Sequence, residues 1–280
     1  MISPRAALRL KSNKNRVNSA VKVLQITDLH LLSAPDQTLL GVNTEETARQ
    51  VVESAQSTHW PPDLIVLTGD LTQEPRASTY RRLDRTLHGL GVPCVCLPGN
   101  HDDPRLMLEE LKSENVYCSS QILTDAWQII CLDSTEPGSE SGHFSEKTGE
   151  ILADHLDQYP EKFALILLHH HPVPVGCAWL DTMVLDEQNK FFAILESRPQ
   201  SRAVACGHIH QTLDITCGNL RVFGTPSTCF QFKPASDHFM LDDQAPGYRR
   251  LWLYPDGSIE TEVYRLPELP EGLNLLSAGY

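Results

Sequence analysis

Five short segments of this 280-residue sequence combine aspartate, asparagine, histidine and glycine in patterns that could bind metal ions. Taken alone each segment is weak evidence, because an Asp-x-His or a Gly-Asp after a strand also serves as a helix cap or a turn. Together they supply seven oxygen or nitrogen donors, which is enough for two metals. The segments are Asp28-Leu29-His30, Gly69-Asp70, Gly99-Asn100-His101-Asp102, His169-His170-His171 and Gly207-His208-Ile209-His210.

Two neighbouring metals would suit the hydrolysis of a phosphate ester. Its oxygens repel a nucleophile and its leaving alkoxide is poor, and two cations about 3.5 to 4 Å apart relieve both difficulties. Imidazole, carboxylate and amide donors without cysteine suit manganese, iron or zinc, and the imidazoles argue against a site dedicated to magnesium or calcium. The donor types therefore predict a site for two metals, which could serve the hydrolysis of a phosphate ester.

Each polar segment directly follows an apolar, β-branched run, and amphipathic segments separate these runs. This alternation predicts a sheet flanked by helices, with the polar segments at the carboxyl ends of the strands, where open α/β sheets bind ligands. The expected strands lie near residues 21–27, 64–68, 94–97, 128–132, 164–168 and 203–206. The expected helices cover residues 45–55, 79–88, 106–111, 146–155 and 188–195, and Asn43 or Thr44 is expected to cap the first.

After residue 210 the sequence becomes mostly β, with turn residues at Gly218-Asn219 and Pro255-Asp256-Gly257 that predict two hairpins. Neither an internal repeat nor a flexible linker interrupts the chain. We therefore expect one α/β sandwich domain over residues 21–266, a basic, solvated tail at residues 1–20 and a C-terminal tail at residues 267–280.

Composition limits the partners and the compartment. The net charge of −13 works against binding nucleic acid or anionic lipid. The longest apolar run, residues 163–168, is far shorter than the roughly 18 to 20 residues that span a bilayer, and the first twenty residues lack the apolar region of a secretory signal. The eight cysteines show no paired spacing, which predicts free thiols in a reducing cytoplasm.

The ordered set of these polar segments resembles that of the calcineurin-like metallophosphoesterases. The resemblance implies a four-layer αββα sandwich with two mixed β-sheets. It also implies that Asp28, His30, Asp70 and His210 bind one metal, that Asn100, His169 and His208 complete the second, and that Asp70 bridges the two. The two divalent ions would be iron or manganese, with zinc as the alternative.

The same resemblance implies that His101 and Asn100 are catalytic. His101 would hold the phosphoryl oxygens and protonate the leaving alkoxide. We expect the substrate to contact six residues, four of which are also predicted metal ligands: His30, Asp70, Asn100, His101, His170 and His210. One position departs from the family pattern: an aspartate that often orients the Asn-His histidine is replaced by Gln73, followed by Glu74. Asp102, Gln73 or Glu74 could each orient His101.

Segments outside the metal site are similar to those of the bacterial 3′,5′-cyclic AMP phosphodiesterases. They include residues 24–28, 40–44, 169–172, 176–181, 225–229, 231–234 and 246–249. This closer resemblance implies hydrolysis of 3′,5′-cyclic AMP to 5′-AMP by in-line attack of a metal-bridging hydroxide. The alternatives are another ester (a 2′,3′-cyclic nucleotide, a glycerophosphodiester, a nucleotide pyrophosphate or a phosphomonoester) and a non-catalytic scaffold on the same fold.

Two further expectations concern the surroundings of the site. We expect the loop of residues 176–181 to wall the nucleotide pocket, with Trp179 or a neighbour against the base or ribose, although an ordinary packed surface loop is the competing interpretation. His143 is one of five histidines outside the strand-end segments to which the sequence assigns no function. The oligomeric expectation is a monomer or a homodimer.

Overall fold

The computed structural model describes residues 7–10 and 19–279. Its helices are α1 (Thr44–His59), α2 (Ala77–Gly89), α3 (Pro104–Glu110), α4 (Glu146–Gln158) and α5 (Gln188–Glu196), with a 3-10 helix at Leu180–Met183. Its strands are β1 (Leu8–Arg9), β2 (Val21–Ile26), β3 (Leu64–Thr68), β4 (Cys94–Leu97), β5 (Val116–Tyr117), β6 (Gln121–Leu123), β7 (Trp127–Cys131), β8 (Phe163–Leu167), β9 (Ser201–Cys206), β10 (Leu213–Cys217), β11 (Leu220–Gly224), β12 (Gln231–Phe232), β13 (Leu241–Asp242), β14 (Gly247–Leu253) and β15 (Ile259–Arg265).

Two large mixed sheets carry most of the strands. The seven-stranded sheet has the order β1-β6-β7-β8-β9-β11-β10, and the six-stranded sheet has the order β15-β14-β2-β3-β4-β5. Within each sheet the central strands run parallel: β2, β3 and β4 in one, β7, β8 and β9 in the other. Their carboxyl ends therefore meet at common edges, and this is where the polar segments begin.

The two sheets pack face to face, and helices cover their outer faces. Val66 and Leu97 of one sheet belong to the same buried cluster as Ile129 and Leu165 of the other. A second cluster joins the outer face of the six-stranded sheet to α1, α2 and α3, and a third joins the seven-stranded sheet to α4 and α5. The layers are thus α, β, β and α, which confirms the predicted four-layer sandwich.

Local sequence explains where the helices begin. The side chain of Asn43 accepts a hydrogen bond from the backbone N–H of Glu46, so Asn43 caps α1, while Thr44 is the first helical residue. Asp103 caps α3 and is followed by Pro104, whose missing N–H costs nothing in the first turn. Ser145 caps α4 through the N–H of Thr148. The six predicted strands, five helices and two hairpins are all present, with small shifts at their ends.

The structure corrects part of the predicted N-terminal tail. Leu8 and Arg9 form β1, which pairs in parallel with β6, instead of lying in solvent. Leu8 also packs against the cluster between the sheets, which gives this short strand an apolar anchor. The basic residues Arg5, Lys11, Lys14 and Arg16 lie outside the described residues.

The predicted C-terminal tail contacts the domain. The N–H of Asn274 donates to the carbonyl of Leu40, and Leu273 packs on a cluster of apolar side chains near the site. The division into one domain with two tails stays a prediction. Among the described helices, none has the length and apolar character needed to cross a bilayer.

Candidate active site

The predicted ligands meet at the carboxyl ends of five strands. Asp28 and His30 follow β2, Asp70 follows β3, Asn100 follows β4, His169 follows β8, and His208 and His210 follow β9. Because the strands come from both sheets, the site lies across one edge of the sandwich. The two aspartates and the four histidines predicted as ligands are at most 6% exposed, whereas Asn100 and His101 are half-buried.

Five of these residues adopt a left-handed backbone that non-glycine residues rarely occupy. Their φ angles lie between 46° and 68°. Such conformations cost about 1 to 3 kcal/mol each and are concentrated at functional sites, where the surroundings hold them in place. The residues are Asp28, His30, Asp70, His208 and His210.

At two positions of the site neighbouring atoms lie so close to the backbone that only glycine fits. A Cβ atom at Gly99 would collide with Oδ1 of Asp70, and one at Gly207 would collide with Oγ1 of Thr27 and approach Oδ2 of Asp28 to 2.9 Å. The Gly-Asn-His and Gly-His-x-His patterns therefore have a steric origin. A larger residue at either position would push a buried carboxylate out of the site.

One cluster contains Asp28, His30 and His210, whose ligand atoms lie within 4.8 Å of one another. Nδ1 of His30 lies 2.8 Å from Oε1 of Gln73, and Nδ1 of His210 lies 2.9 Å from the carbonyl of Phe230. Since both partners accept, each Nδ1 is assigned the proton, which leaves a lone pair on each Nε2. These two Nε2 atoms face each other at 3.2 Å, an arrangement that a cation between them would stabilise.

A second cluster contains Asp70, Asn100, His169 and His208. Nδ1 of His169 donates to the carbonyl of Thr68, so its Nε2 faces Oδ1 of Asn100 at 3.1 Å and Nδ1 of His208 at 3.2 Å. Nε2 of His208 is buried and has no hydrogen-bond partner among the described residues. The nitrogen and oxygen acceptors that face one another in this cluster fit a metal ion.

Asp70 lies between the two clusters. Its Oδ2 atom is 3.7 Å from Nε2 of His30 and 3.4 Å from Nε2 of His169. The ion pairs that Asp28 and Asp70 form within the described chain are with histidines, so neither buried carboxylate has a permanent cation beside it. A carboxylate in this position can contact an ion in either cluster.

The pKa values of the buried groups indicate that positive charge is favoured beside the two aspartates. Burial works to lower the pKa of His169, but the carboxylates of Asp70 and Asp28 and the Thr68 carbonyl raise it to about 9. Burial works to raise the pKa of Asp70, yet His169, His101 and His30 hold it well below its usual range. Burial lowers the pKa of His30 to about 3, against the pull of Asp70. The buried carboxylates thus favour positive charge on the groups beside them.

Gln73 holds two of the predicted functional histidines. Its side chain contacts Nδ1 of His30, and its backbone carbonyl lies 3.2 Å from Nδ1 of His101. Asp102 instead accepts hydrogen bonds from the N–H groups of Leu71, Thr72 and Gly99 and from the Tyr80 hydroxyl. Asp102 thereby fastens the loop after β3 to the loop after β4.

The third candidate, Glu74, pairs with Arg76 at the surface. Of the three candidates that the sequence left open, Gln73 therefore contacts His101 directly. The contact with His101 comes from the Gln73 backbone carbonyl, so the residue type at this position does not predict it.

His170 and His171 lie behind the second cluster. Ser134 contacts Nδ1 of His170 at 2.8 Å, and the His170 ring packs on the rings of His169 and His208 at 4.9 and 4.8 Å. His171 lies 3.8 Å from Asp181 and stacks on His208. Both side chains are buried, so they back the ligand histidines. The predicted substrate contact of His170 stays a prediction.

Aromatic side chains close the site behind His210. Phe232 stacks on the His210 ring at a centroid distance of 4.1 Å, and Phe230 lies 5.2 Å from it. Trp179 packs edge-on against Phe232 at 4.9 Å and also contacts Phe239. The structure therefore places Trp179 one ring behind a ligand histidine, and the described contacts favour the packing interpretation of its loop.

Residues 225–229 hold the strained turn at Asp28. The hydroxyl of Ser227 donates to the Asp28 carbonyl at 2.8 Å, and the N–H of Thr228 donates to the carbonyl of Thr27. Cys229 contacts the same Asp28 carbonyl through its thiol. Two segments that are similar to one subfamily and lie about 200 residues apart therefore meet behind one ligand.

Residues 21–212 match the family model described as "Calcineurin-like phosphoesterase". The chain belongs to this family. The fold, the two clusters and Asp70 between them accordingly define a site for two divalent metals.

Relatives of known name are similar over nearly the whole chain. The 3′,5′-cyclic adenosine monophosphate phosphodiesterase CpdA of Escherichia coli (strain K12) is 41% identical over 93% of this chain and 95% of its own length. The protein of the same name from Pseudomonas aeruginosa is 35% identical, covering 96% and 98% of the two chains. Among solved structures, a dimetal phosphatase from Danio rerio matches with a TM-score of 0.59 and 16% identity over 89% of this chain and 99% of its own, which shows the shared fold.

Proposed function

We propose that this protein is a binuclear-metal phosphodiesterase that hydrolyses 3′,5′-cyclic AMP to 5′-AMP. The observation that carries the proposal is the position of the Asp70 carboxylate, 3.4 and 3.7 Å from histidines of two adjoining donor clusters. Relatives named as 3′,5′-cyclic AMP phosphodiesterases support the substrate, because they align over more than nine-tenths of the chain.

The proposed ligands divide between two ions. Asp28, His30, Asp70 and His210 would hold the first, and Asp70, Asn100, His169 and His208 would hold the second. When bound, the two metals would lower the pKa of a water between them and neutralise charge on the phosphoryl oxygens. Manganese or iron fits this set of nitrogen and oxygen donors, and zinc is the alternative.

The chain's own groups orient the ligands and move the proton. Carbonyl acceptors at Thr68 and Phe230 fix His169 and His210 with Nε2 toward the site. The Gln73 carbonyl likewise holds Nδ1 of His101, and we assign Nε2 of that ring the contact with the substrate. To act as the acid, His101 must carry a proton on Nε2 and deliver it to the departing ribose 3′ oxygen.

Two supporting roles complete the proposed site. The His101 backbone N–H donates to Oδ1 of Asp70 at 3.0 Å, so the proposed acid and the bridging carboxylate are fixed to each other. His30, Asp70, Asn100 and His210 would contact the substrate phosphate together with His101. His170, buried against Ser134, would instead act by positioning His169 and His208.

The test is hydrolysis of 3′,5′-cyclic AMP beside 2′,3′-cyclic AMP, cyclic GMP and an aryl phosphodiester, with protein reconstituted with manganese or iron. We expect clear preference for 3′,5′-cyclic AMP and loss of all activity after removal of the metals by a chelator. Turnover of the aryl ester without 3′,5′-cyclic AMP would leave the metal site intact and refute the substrate. Absence of metal-dependent turnover on every ester would favour a scaffold.

The compartment is part of the proposal. All eight cysteines are free thiols, six of them buried, which suits a reducing cytoplasm. A monomer or a homodimer is expected there, and sedimentation of the metal-loaded protein would distinguish them.

A further inference from the structure

A cavity of about 660 Å³ adjoins the proposed metal site at Asn100. Its walls are the loop of residues 132–138 after β7, the first two turns of α4, and the segment of residues 102–105 that leads into α3. This volume lies within the range of about 300 to 1,000 Å³ that small-molecule sites occupy. We call it the α4 cavity.

The α4 cavity lies on the open side of the site. Asn100 and His101 are half-buried, whereas the side chains of the two aspartates and four histidines that we propose as metal ligands are almost fully buried. Behind His210 the aromatic rings of Phe230 and Phe232 fill the space. A substrate that reaches the metals past Asn100 therefore extends into or across this cavity.

We propose that the α4 cavity holds the nucleoside part of the substrate, so that Thr148 and Ile151 help to determine specificity. The inference rests on the proposed hydrolysis of a cyclic nucleotide. In such a substrate the phosphate ring is fused to the ribose, so the sugar and base cannot swing far from the metals. With the phosphate beside Asn100, they must occupy an adjoining surface, and this cavity supplies one.

The walls combine apolar faces with a few fixed polar groups, as small-molecule sites do. Ile151 is partly exposed and offers apolar surface to a base, and Leu132 is buried beneath the lining. The Asp133 carboxylate accepts from both the N–H and the hydroxyl of Thr135, at 3.0 and 2.7 Å, so its position is set before a ligand arrives. A carboxylate and hydroxyls suit the hydroxyl of a ribose and the amino group of a base.

Charged groups of both signs line the same cavity. Lys147 and Arg105 are exposed, but the acidic lining residues Asp102, Asp103, Asp133 and Glu136 outnumber them. An anionic phosphate would therefore be attracted by bound metal ions and not by the cavity walls.

The experiment fills the cavity without touching the proposed ligands. Thr148→Trp and Ile151→Trp would place an indole in it, and Glu150→Trp is the matched control, because Glu150 lies on the same helix, is exposed and does not line the cavity. Each variant is assayed for kcat/KM on 3′,5′-cyclic AMP and on a small aryl methyl phosphodiester, which needs only the metals. Metal content and binding of 5′-AMP are measured alongside.

We expect both filling variants to lower kcat/KM for 3′,5′-cyclic AMP by about tenfold or more and to weaken 5′-AMP binding, because the nucleoside loses its contacts. Turnover of the aryl ester and metal content should stay within about twofold, and Glu150→Trp should change nothing. Unchanged cyclic AMP hydrolysis in both variants, or an equal loss on both substrates with normal metal content, would overturn the inference alone. Failure of the unaltered protein on every cyclic nucleotide would overturn the proposed function and this inference with it.

Discussion

The side chain of Gln73 accepts a hydrogen bond from Nδ1 of His30 at 2.8 Å. This contact sets the tautomer of His30 and directs its Nε2 toward Asp70 and His210. The side chain and the backbone carbonyl of Gln73 contact different histidines, His30 and His101. Removing the side chain should therefore affect His30 and spare the contact to His101.

The first prediction concerns the separate contacts of the Gln73 side chain and the Gln73 carbonyl. Gln73→Ala should weaken metal binding by about 10- to 100-fold, as loss of a partner behind a ligand histidine commonly does. At saturating metal its turnover should recover most of the original value, because the carbonyl that orients His101 remains. Glu74→Gln is the control, since that exposed side chain pairs with Arg76 and contacts neither histidine. A turnover defect in Gln73→Ala that persists at saturating metal would contradict the assignment.

His101 should be needed for chemistry and dispensable for metal binding. His101→Ala should lower kcat on 3′,5′-cyclic AMP by about 10² to 10⁴, the range expected for loss of a general acid, with two metals still bound. The comparison that isolates the proton is an ester with a good leaving group, such as a nitrophenyl phosphodiester, on which the loss should be much smaller. Loss of metal from the variant would instead assign His101 a structural role.

Asp70 should behave in the opposite way. Asp70→Ala should remove bound metal and activity together, because both clusters share this carboxylate. Metal analysis of the purified variant, compared with Asp133→Ala, tests this, since Asp133 is a carboxylate in the neighbouring cavity and outside both clusters. Two metals retained in Asp70→Ala would refute the bridging role.

How far the sequence predicts the site depends on what each position requires. The five strand-end segments could be placed because parallel strands bring their carboxyl ends to one edge. Gly99 and Gly207 could be recognised because only glycine avoids a steric collision at these positions. The sequence could not single out Gln73 from Asp102 and Glu74 as the contact of His101, or predict the contact of Phe230 with His210, because backbone carbonyls provide both and any residue has one.

The remaining differences also have physical causes. Leu8 and Arg9 form a two-residue strand that exists only through its pairing with β6, so no local pattern marks it. The α4 cavity depends on the packing of segments that are distant in sequence, and apart from Asn100 and Asp102 its walls belong to no motif that the sequence shows. The sequence left open whether Trp179 or a neighbour contacts a base or the 176–181 loop only packs, because the contact between Trp179 and Phe232 depends on how that loop packs.

That loop allows a fourth prediction. Trp179→Ala should lower the free energy of unfolding by about 1 to 3 kcal/mol, because a half-buried indole loses its contacts with Phe232 and Phe239. Urea unfolding of the variant beside Trp179→Phe, which keeps a ring, measures this. KM for 3′,5′-cyclic AMP should change little if the nucleoside lies in the α4 cavity. A large rise in KM for cyclic AMP, without one for the aryl ester, would place the base against Trp179.

The last prediction concerns pH and the pair formed by His143 and Asp186. The hydrogen bond from Nδ1 of His143 to Asp186, at 2.7 Å, raises the pKa of His143 above its usual value. The pair therefore stabilises the folded state fully below the unfolded pKa of histidine, near 6.5, and loses that contribution as pH rises through the raised folded value. Asp186→Asn removes the charge but keeps an acceptor for the N–H of Phe144.

Urea unfolding at pH 5.5 and pH 9 compares the variant with the unaltered protein. The variant should be less stable at the acidic pH, by no more than about 1 kcal/mol because both side chains are partly exposed, and the difference should disappear at the alkaline pH. Because His143 lines the α4 cavity and Asp186 follows the 3-10 helix, the same pair connects the proposed nucleoside site to the loop that carries Trp179. A stability difference that is equal at both pH values would show that the effect of Asp186 does not depend on the charge of His143.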